Sequence, residues 1–533
     1  MPTSEPKADS GRALDFRLAI GAEGLIIVNP KGTIALCSLW TPPAYVERRL
    51  RDLVPEALDK EGPVAVLGGL YGGGLKIMLR NLHHNPQLDT VILYGQDFSG
   101  AGEHLRKFFR GEITHTGIIR PYLFADGTRR ELETIAIQGE RGVYSMDSLL
   151  LPENFARIPK IKDLGPSTGA VRAMLLSEFL SEYRPEEAIG LARPEPVPLP
   201  IPEIHAFPSD PGGHSIVADS IMEAWQETLW RLARFGVERT FRNGKLRREL
   251  MNYKALVRDP LGHDPVKASG PPWNLDPGQA EDYVAELFIK DIHEGFHYTY
   301  GNRLREHFGQ DSLMKVALDL SKDKDSRHAF ISLWDNTSDL DASSAPCLVS
   351  LFFRKASGLL HLTATFRSHN ASKAWPLNAL GLLGVMRVVA DWANQSPGRT
   401  EKDVLTPGTL TVISQSLTLD PNDLPDVEKI LAHREAAGYR MAQDPNGYFR
   451  ITVDHQAKEI VALHFAQDSE ELGEYRGDNP NRIMERMHMD LCVSDIGHAM
   501  YLGSQLQRAW QALVSGKDYV QDKKKPDGAA DDD

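Results

Sequence analysis

Five side chains in the middle of this 533-residue sequence are of types that together could carry out covalent chemistry. They are a thiol, two guanidinium groups, a hydroxyl and an amide, from Cys347, Arg327, Arg367, Ser368 and Asn378. A thiolate is a nucleophile, arginine binds phosphate oxygens through its planar fork, and an amide both donates and accepts hydrogen bonds. The pattern predicts a nucleophilic site beside an anion-binding site.

The ends of strands and helices are expected to bring these side chains into one cleft. Alternating and apolar runs predict one strand at residues 330–334 and a second at 360–366, just before Arg367. An apolar helix is expected at 379–392, directly after Asn378.

Composition and charge restrict the class of protein. The chain carries 60 basic and 73 acidic side chains, a net charge of −13, which disfavours nonspecific binding to nucleic acid or to an anionic membrane. No run of about 18 apolar residues is present and the polar N-terminus lacks a signal-peptide pattern, so a cytoplasmic protein is expected. The three cysteines lie far apart without metal-ligand spacing, so neither disulfides nor a metal site are expected.

Changes in composition along the chain predict an α/β and α+β multidomain protein. Before residue 193, apolar runs alternate with helical patterns, which favours an α/β domain with a mainly parallel sheet. Strands are expected there at 25–28, 64–67 and 90–94, and helices at 75–82 and 102–109. A long amphipathic helix is expected at 215–235.

The expected regions are a disordered tail (1–15), the α/β domain (16–192), an extended Pro-rich linker (193–212), a central α+β domain (213–433), a small α+β C-terminal domain (434–522) and a second disordered tail (523–533).

Two spacings in the central region match a known enzyme core. Cys347 follows a proline and lies thirteen residues after Trp334. The pair that begins at Arg367 is an Arg-Ser motif, and Asn378 follows it by eleven residues. In these features residues 213–423 resemble the thymidylate synthases, especially the shorter archaeal type.

Three further segments are similar to motifs of that family. Arg327 lies where the family has an arginine that reaches across a dimer interface, Tyr300 falls in a Tyr-Gly segment, and Arg242 falls in a phosphate-binding loop. Glu286 and Glu294 are both candidates for the family's water-organising acid. The resemblance implies catalysis by Cys347, Asn378 and Tyr300, nucleotide binding by Arg367, Ser368, Arg327, Arg242, Thr418 and Asp420, and donor binding by Asn370 and Trp334.

The resemblance implies that a homodimer transfers a one-carbon unit to C5 of a pyrimidine nucleotide, with dUMP favoured. The Cys347 thiolate would add at C6, and the reduced pterin donor would be 5,10-methylenetetrahydrofolate or a methanopterin analogue, without a metal. The acid that pairs with the pterin in the family is Asn370 here, and the residues that bind the sugar are Thr418 and Asp420. These departures leave open a nucleotide hydroxymethylase or a catalytically silent nucleotide- or pterin-binding protein. His369 is expected to be an ordinary polar or capping residue.

The flanking regions resemble other proteins. The segments 69–72, 80–81 and 91–100 are similar to the subunit of tetrahydromethanopterin S-methyltransferase that binds a corrinoid through a histidine. No histidine occupies the matching position, and the nearest, His104, lies in the following helix, so corrinoid binding is not expected. The C-terminal hundred residues resemble an uncharacterised domain appended to such proteins.

Overall fold

The computed structural model forms two compact units, Met1–Glu435 and Ala436–Asp533. It describes residues 14–21, 24–166, 168–186, 191–203, 206–241, 246–261, 275, 277–323, 326–342, 344–395, 404–437 and 443–522. Among these, no helix is long and apolar enough to span a membrane.

The first part of the larger unit, here called the N-terminal segment (residues 16–192), contains two sheets. Its strands, with one from the Pro-rich stretch, are β1 (Ile26–Ile27), β2 (Ile34–Cys37), β3 (Val64–Gly68), β4 (Thr90–Leu93), β5 (Thr114–Leu123), β6 (Arg129–Gly139), β7 (Gly142–Asp147), β8 (Lys160–Asp163) and β9 (Ile201–Pro202). Its helices are α1 (Pro43–Leu53), α2 (Leu75–His84), α3 (Ala101–Phe109) and α4 (Ala170–Glu182).

The first sheet of this segment has the order β1-β3-β2-β4-β8. Strands β2, β3, β4 and β8 are parallel, and β1 is antiparallel to β3 at one edge. The three central strands are almost wholly buried, because separate apolar clusters pack on the two faces of the sheet. The mainly parallel sheet expected from the sequence is therefore observed.

The second sheet, of order β7-β6-β5-β9, was not expected. Strands β5 and β6 are joined by a turn that contains Asp126 and Gly127, and Gly127 has a φ of +80°. An Asp-Gly pair between strands is a strong hairpin signal, so this sheet could have been found from the sequence. The Pro-rich stretch packs against this segment, where the carbonyl of Pro198 accepts a hydrogen bond from Arg80 Nε at 2.8 Å. Prolines lack an N–H but keep this acceptor.

The central segment (residues 213–433) is built on one mixed sheet of order β10-β12-β17-β15-β14-β13. Its strands are β10 (Ser215–Ala218), β11 (Val237–Thr240), β12 (Leu246–Val257), β13 (Phe330–Ser332), β14 (Leu348–Ala356), β15 (Leu359–Phe366), β16 (His369–Asn370) and β17 (Thr406–Leu419). Its helices are α5 (Ile221–Phe235), α6 (Pro277–Glu286), α7 (Tyr300–Arg305), α8 (Ser312–Lys322), α9 (Ala374–Asn394) and α10 (Leu424–Ala437). Helices α5 and α9 share one large apolar core with the sheet.

The long helix expected at 215–235 was wrong over its first residues. Ser215–Ala218 forms β10, which pairs in parallel with β12. The helix begins only at Ile221, because the Ser220 hydroxyl accepts a hydrogen bond from the backbone N–H of Glu223 in a capping box. Exposed and buried residues alternate along β10, which is the pattern of a strand. The helical periodicity of the following residues therefore does not extend back over 215–218.

The smaller unit has a three-stranded antiparallel sheet of order β18-β19-β20, covered by two helices. Its elements are β18 (Tyr448–Asp454), β19 (Glu459–Phe465), β20 (Glu471–Gly477), α11 (Pro480–Met489) and α12 (Ile496–Ser515).

Candidate active site

Cys347 lies immediately before β14, at the edge of the central sheet. Its Sγ atom is 3.2 Å from Oγ of Ser368, and its carbonyl accepts a hydrogen bond from the backbone N–H of Arg367 at 2.9 Å. Antiparallel pairing of β14 with β15 places Leu348 opposite Phe366, so the start of one strand meets the end of the other. This register brings the half-buried thiol, the serine and the arginine together.

Arg367 holds the loop that precedes the cysteine. Its Nε donates to the carbonyl of Pro346 at 2.9 Å and its Nη2 donates to the carbonyl of Ala345 at 2.8 Å. The guanidinium carbon is also 5.7 Å from the ring centre of half-buried Trp334. A guanidinium group has five N–H donors, so three remain for an anionic ligand at this exposed position.

We expect Arg367→Lys to raise KM for a phosphorylated substrate by about 10- to 100-fold, the effect of losing charge-assisted hydrogen bonds. A lysine lacks the fork that reaches two carbonyls and an anion together. Steady-state kinetics measures the change, with Arg258→Lys as a control because Arg258 forms an exposed ion pair with Asp219. An unchanged KM in Arg367→Lys would contradict a ligand-binding role.

Tyr300 lies on the other side of the cysteine, at the start of α7. Its hydroxyl oxygen accepts a hydrogen bond from the backbone N–H of Leu348 at 3.2 Å. Burial raises the pKa of Tyr300 well above its ordinary value, so the hydroxyl stays protonated and keeps its own hydrogen for donation. The Thr299 hydroxyl caps this helix by accepting from the backbone N–H of Asn302 at 3.1 Å.

Asn378, in the first turns of α9, is buried and belongs to a network that sequence analysis did not predict. Its Oδ1 accepts a hydrogen bond from the hydroxyl of Tyr283, and its Nδ2 lies 2.9 Å from Nε2 of His369. The other ring nitrogen of His369 is 2.9 Å from Oγ of Ser414. The amide therefore keeps one N–H and one lone pair for a further partner.

His369 is a buried neutral base rather than a surface residue. Its ring stacks on Phe366 with 3.9 Å between ring centres, and burial lowers its pKa to about 3. The sequence predicts only an ordinary polar or capping residue at this position, and no local signal marks the contact of His369 with Asn378.

The depressed pKa of His369 predicts a specific dependence of stability on pH. Between pH 6.5 and about 3 the unfolded chain binds a proton at this side chain and the folded chain does not, so stability falls as the pH is lowered through that window. We expect a steeper fall for the wild-type protein than for His369→Gln, measured as free energy of unfolding against pH. If the free energy of unfolding falls equally steeply with pH in the wild-type protein and in His369→Gln, the His369 ring becomes charged without unfolding.

The residues implied in donor and sugar binding lie around the start of α9. Asn370 Oδ1 accepts from the backbone N–H groups of Lys373, at 2.8 Å, and Ala374, at 3.4 Å, so it holds the turn that leads into the helix. Thr418 is buried and pairs with Asn370 across β16 and β17. Asp420 follows β17 and is half-buried.

The resemblance implies two further phosphate ligands, Arg327 and Arg242. Arg327 is exposed, and within the described part of the chain no hydrogen bond or ion pair holds its guanidinium group. Arg242 lies outside the described residues.

The two candidate acids have different surroundings. Glu294 Oε1 accepts a hydrogen bond from the hydroxyl of Tyr45 at 2.9 Å and lies 3.7 Å from Arg49 Nε, so it faces the N-terminal segment. Glu286 is one helical turn after Tyr283, and its Oε1 lies 3.1 Å from Nε2 of His293. Glu286 is therefore the acid nearer to the Asn378 network.

A buried ion pair supports the turn that follows Trp334. Asp339 accepts from Arg303 at 2.6 and 3.0 Å through its two oxygens, and its Oδ2 also accepts from the backbone N–H of Asp335 at 2.8 Å. Arg303 Nη1 donates further to the carbonyl of Leu333 at 3.4 Å. These contacts tie α7, which begins at Tyr300, to the segment that carries Trp334.

The N-terminal segment packs on the connection between α6 and α7. Phe98 contacts Phe296 and His293 with ring centres 6.0 and 5.8 Å apart, and its carbonyl accepts from Gln279 Nε2 at 3.0 Å. In the same segment His104 Nε2 lies 3.0 Å from the carbonyl of Gly142. The described residues include no group of His, Cys, Asp and Glu suited to a metal ion.

Two archaeal proteins named "Putative thymidylate synthase" are similar to this chain. The protein from Methanothermobacter marburgensis is 34% identical over 182 residues, which are 32% of this chain and 80% of that protein. The protein from Methanococcoides burtonii is 32% identical over 220 residues, or 41% of this chain and 95% of that protein. A "Deoxyuridylate hydroxymethyltransferase" from Pseudomonas phage M6 is 27% identical over 173 residues, covering 28% of this chain and 48% of that protein. Residues 443–522 match the family model PterinBD-DUF4346.

The relatives named thymidylate synthase and the phage hydroxymethyltransferase support a one-carbon transferase. Most of the archaeal protein from Methanothermobacter marburgensis aligns at 34% identity. The chain therefore belongs to the thymidylate synthase family.

Proposed function

We propose that this chain transfers a one-carbon unit to C5 of a pyrimidine nucleotide, with dUMP favoured, through a covalent adduct of Cys347. The observation that carries the proposal is the 3.2 Å contact of the Cys347 thiol with Ser368, beside a loop that Arg367 holds through two carbonyls. The thymidylate synthase relatives and the phage enzyme support the reaction class.

The pyrimidine ring needs activation before C5 can form a bond. C5 of uracil is a poor nucleophile until a thiolate adds at C6, which moves the electron pair of the double bond toward C5 and O4. The Ser368 hydroxyl is close enough to donate a hydrogen bond to the thiolate sulfur. After C5 has formed its bond to the one-carbon unit, C5 loses its proton and the donor nitrogen leaves. The exocyclic carbon would then take up either a hydride supplied by the reduced pterin, which gives a methyl group, or water, which gives a hydroxymethyl group, and the thiolate leaves C6 to restore the double bond.

The base is recognised by the free edge of Asn378. Uracil presents an acceptor at O4 and a donor at N3, which match the remaining N–H and lone pair of the amide. A hydrogen bond to O4 stabilises the negative charge that forms there when the thiolate adds. Glu286, near Tyr283, is the acid that we propose to order water on this side of the base.

The phosphate group would be bound by Ser368 and by the three free N–H donors of Arg367. Arg327 is exposed at the edge of the central segment, and we propose that it reaches the phosphate of a second copy of the chain in a homodimer. We propose that Arg242 adds to this anion site, and that Thr418 and Asp420 lie on the sugar side.

A reduced pterin donor would be held by Trp334 and Asn370. The half-buried indole of Trp334 offers a face for a flat ring, and the Nδ2 group of Asn370 can donate to a ring carbonyl or nitrogen. Asn370 Oδ1 is already engaged by the turn before α9, so this side chain would act mainly as a donor. When bound, the pterin supplies the one-carbon electrophile. The match of residues 443–522 to PterinBD-DUF4346 supports a pterin-related role for the smaller unit.

Release of tritium from 5-tritiated dUMP tests the proposal. The wild-type protein, supplied with 5,10-methylenetetrahydrofolate or its methanopterin analogue, should release tritium to water because C5 loses its hydrogen. The mass of the product then separates a methylated nucleotide from a hydroxymethylated one, the second candidate, which the phage relative favours. If no tritium is released from any pyrimidine nucleotide while dUMP still binds, the chain is a binding protein and the proposed activity is wrong.

A further inference from the structure

Four polar groups at the proposed base site, of which only Tyr283 is half-buried and the others are buried, form one continuous series of hydrogen bonds. In order they are the hydroxyl of Tyr283, the amide of Asn378, the imidazole of His369 and the hydroxyl of Ser414. Ser414 is fully buried and His369 is 3% exposed, so solvent does not compete for the two contacts of the His369 ring. Only Asn378 would touch the nucleotide.

The donor and the acceptor of each hydrogen bond in this series follow from the number of protons and lone pairs on each group. A neutral imidazole has one N–H and one lone pair. Since Nδ2 of Asn378 can only donate, Nε2 of His369 must accept, and the proton of the ring lies on Nδ1, which donates to Ser414. At the other end, Oδ1 of Asn378 accepts from the Tyr283 hydroxyl.

The donors and acceptors in this series determine which side of the Asn378 amide carries the N–H groups and which carries the oxygen. Reversing the amide of Asn378 would place its oxygen next to His369. The histidine proton would then have to move from Nδ1 to Nε2, and the hydroxyls of Tyr283 and Ser414 would both have to turn. The orientation of the amide and the tautomer of His369 are therefore coupled.

We propose that His369, with its proton on Nδ1, is a positioning residue that fixes the orientation of the Asn378 amide and thereby selects uracil over cytosine. The inference rests on the proposed function. Uracil presents an acceptor at O4 and a donor at N3, whereas cytosine presents a donor at its exocyclic amine and an acceptor at N3. The two bases thus require opposite orientations of the same amide edge.

The apolar surroundings of the ring explain why a histidine can hold one tautomer here. Phe366 stacks on the imidazole at 3.9 Å, and no charged side chain among the described residues is bonded to either ring nitrogen. A charged imidazolium would present two donors, so it could not accept from the amide nitrogen. Burial keeps the ring neutral and so preserves the acceptor.

The test compares His369→Phe with the conservative variant His369→Gln in the full-length chain. Phenylalanine keeps the stacking on Phe366 but removes the acceptor, whereas glutamine keeps an oxygen that accepts from the amide nitrogen. Tritium release from 5-tritiated dUMP and 5-tritiated dCMP gives kcat/KM for both bases. We expect His369→Phe to lower the ratio of dUMP to dCMP by about tenfold or more, and His369→Gln to restore at least half of that change on a logarithmic scale.

A purely structural role for His369 would lower both rates equally and leave the ratio unchanged, and that result would overturn the inference. Thermal melts of both variants exclude unfolding as the cause. If the wild-type protein releases no tritium from either nucleotide, the proposed function fails, and equilibrium binding of dUMP and dCMP replaces the kinetic ratio. A binding ratio that shifts in His369→Phe would still support the positioning role, and an unshifted ratio would refute it.

Discussion

Replacing Cys347 with serine should lower tritium release from 5-tritiated dUMP by a factor on the order of 10³ or more, as expected when a nucleophile is removed. A serine hydroxyl is not ionised near neutral pH, so it cannot add to C6 as a thiolate does. Serine keeps the size of the side chain and its contact with Ser368, so the loop before β14 should keep its shape. Folding, measured by thermal melting, should therefore change little.

Cys37→Ala is the matched control for this experiment. Cys37 is buried in the parallel sheet, and burial raises the pKa of its thiol to about 12, so it cannot supply a thiolate near neutral pH. The control should retain tritium release. Wild-type rates in Cys347→Ser would show that the reaction does not proceed through Cys347.

Replacing Asp339 with alanine should lower the free energy of unfolding by about 3–5 kcal/mol, the usual cost of leaving a buried charge without its partner. Arg303 and Asp339 are 5% and 2% exposed at their side chains, so water cannot take the place of the lost carboxylate. The same substitution removes the acceptor for the backbone N–H of Asp335, which holds the turn after Trp334. Unfolding of the larger unit by a chemical denaturant, monitored by tryptophan fluorescence, measures the change in the free energy of unfolding.

A surface ion pair provides the comparison for Asp339. Glu47 and Arg51 are one helical turn apart, with the arginine 61% exposed, and Glu47→Ala should cost about 0.5 kcal/mol or less. The double variant Arg303→Met with Asp339→Leu should recover part of the loss, because it removes both charges. If Asp339→Ala costs no more than the surface variant, the pair does not stabilise the scaffold of the site.

The proximity of Cys347 to Arg367 and Ser368 was predictable because it is nearly local. Strands β14 and β15 are antiparallel neighbours joined by a short turn, so the residue before one strand must lie beside the residues after the other. The spacing of the motifs along the sequence carries that information. The start of α5 was missed because a capping serine, rather than the apolar periodicity, decides where that helix begins.

The sequence by itself predicted a candidate nucleophile, the arginine and serine beside it and the amide of Asn378, because residue type and spacing along adjacent strands are enough for this prediction. Only the tertiary structure decided how that amide is held. Tyr283, His369 and Ser414 come from a helix and two strands far apart in the sequence, and no periodicity links them. Their contacts exist because the packing of α6 and α9 against the sheet buries polar groups, which must then satisfy one another.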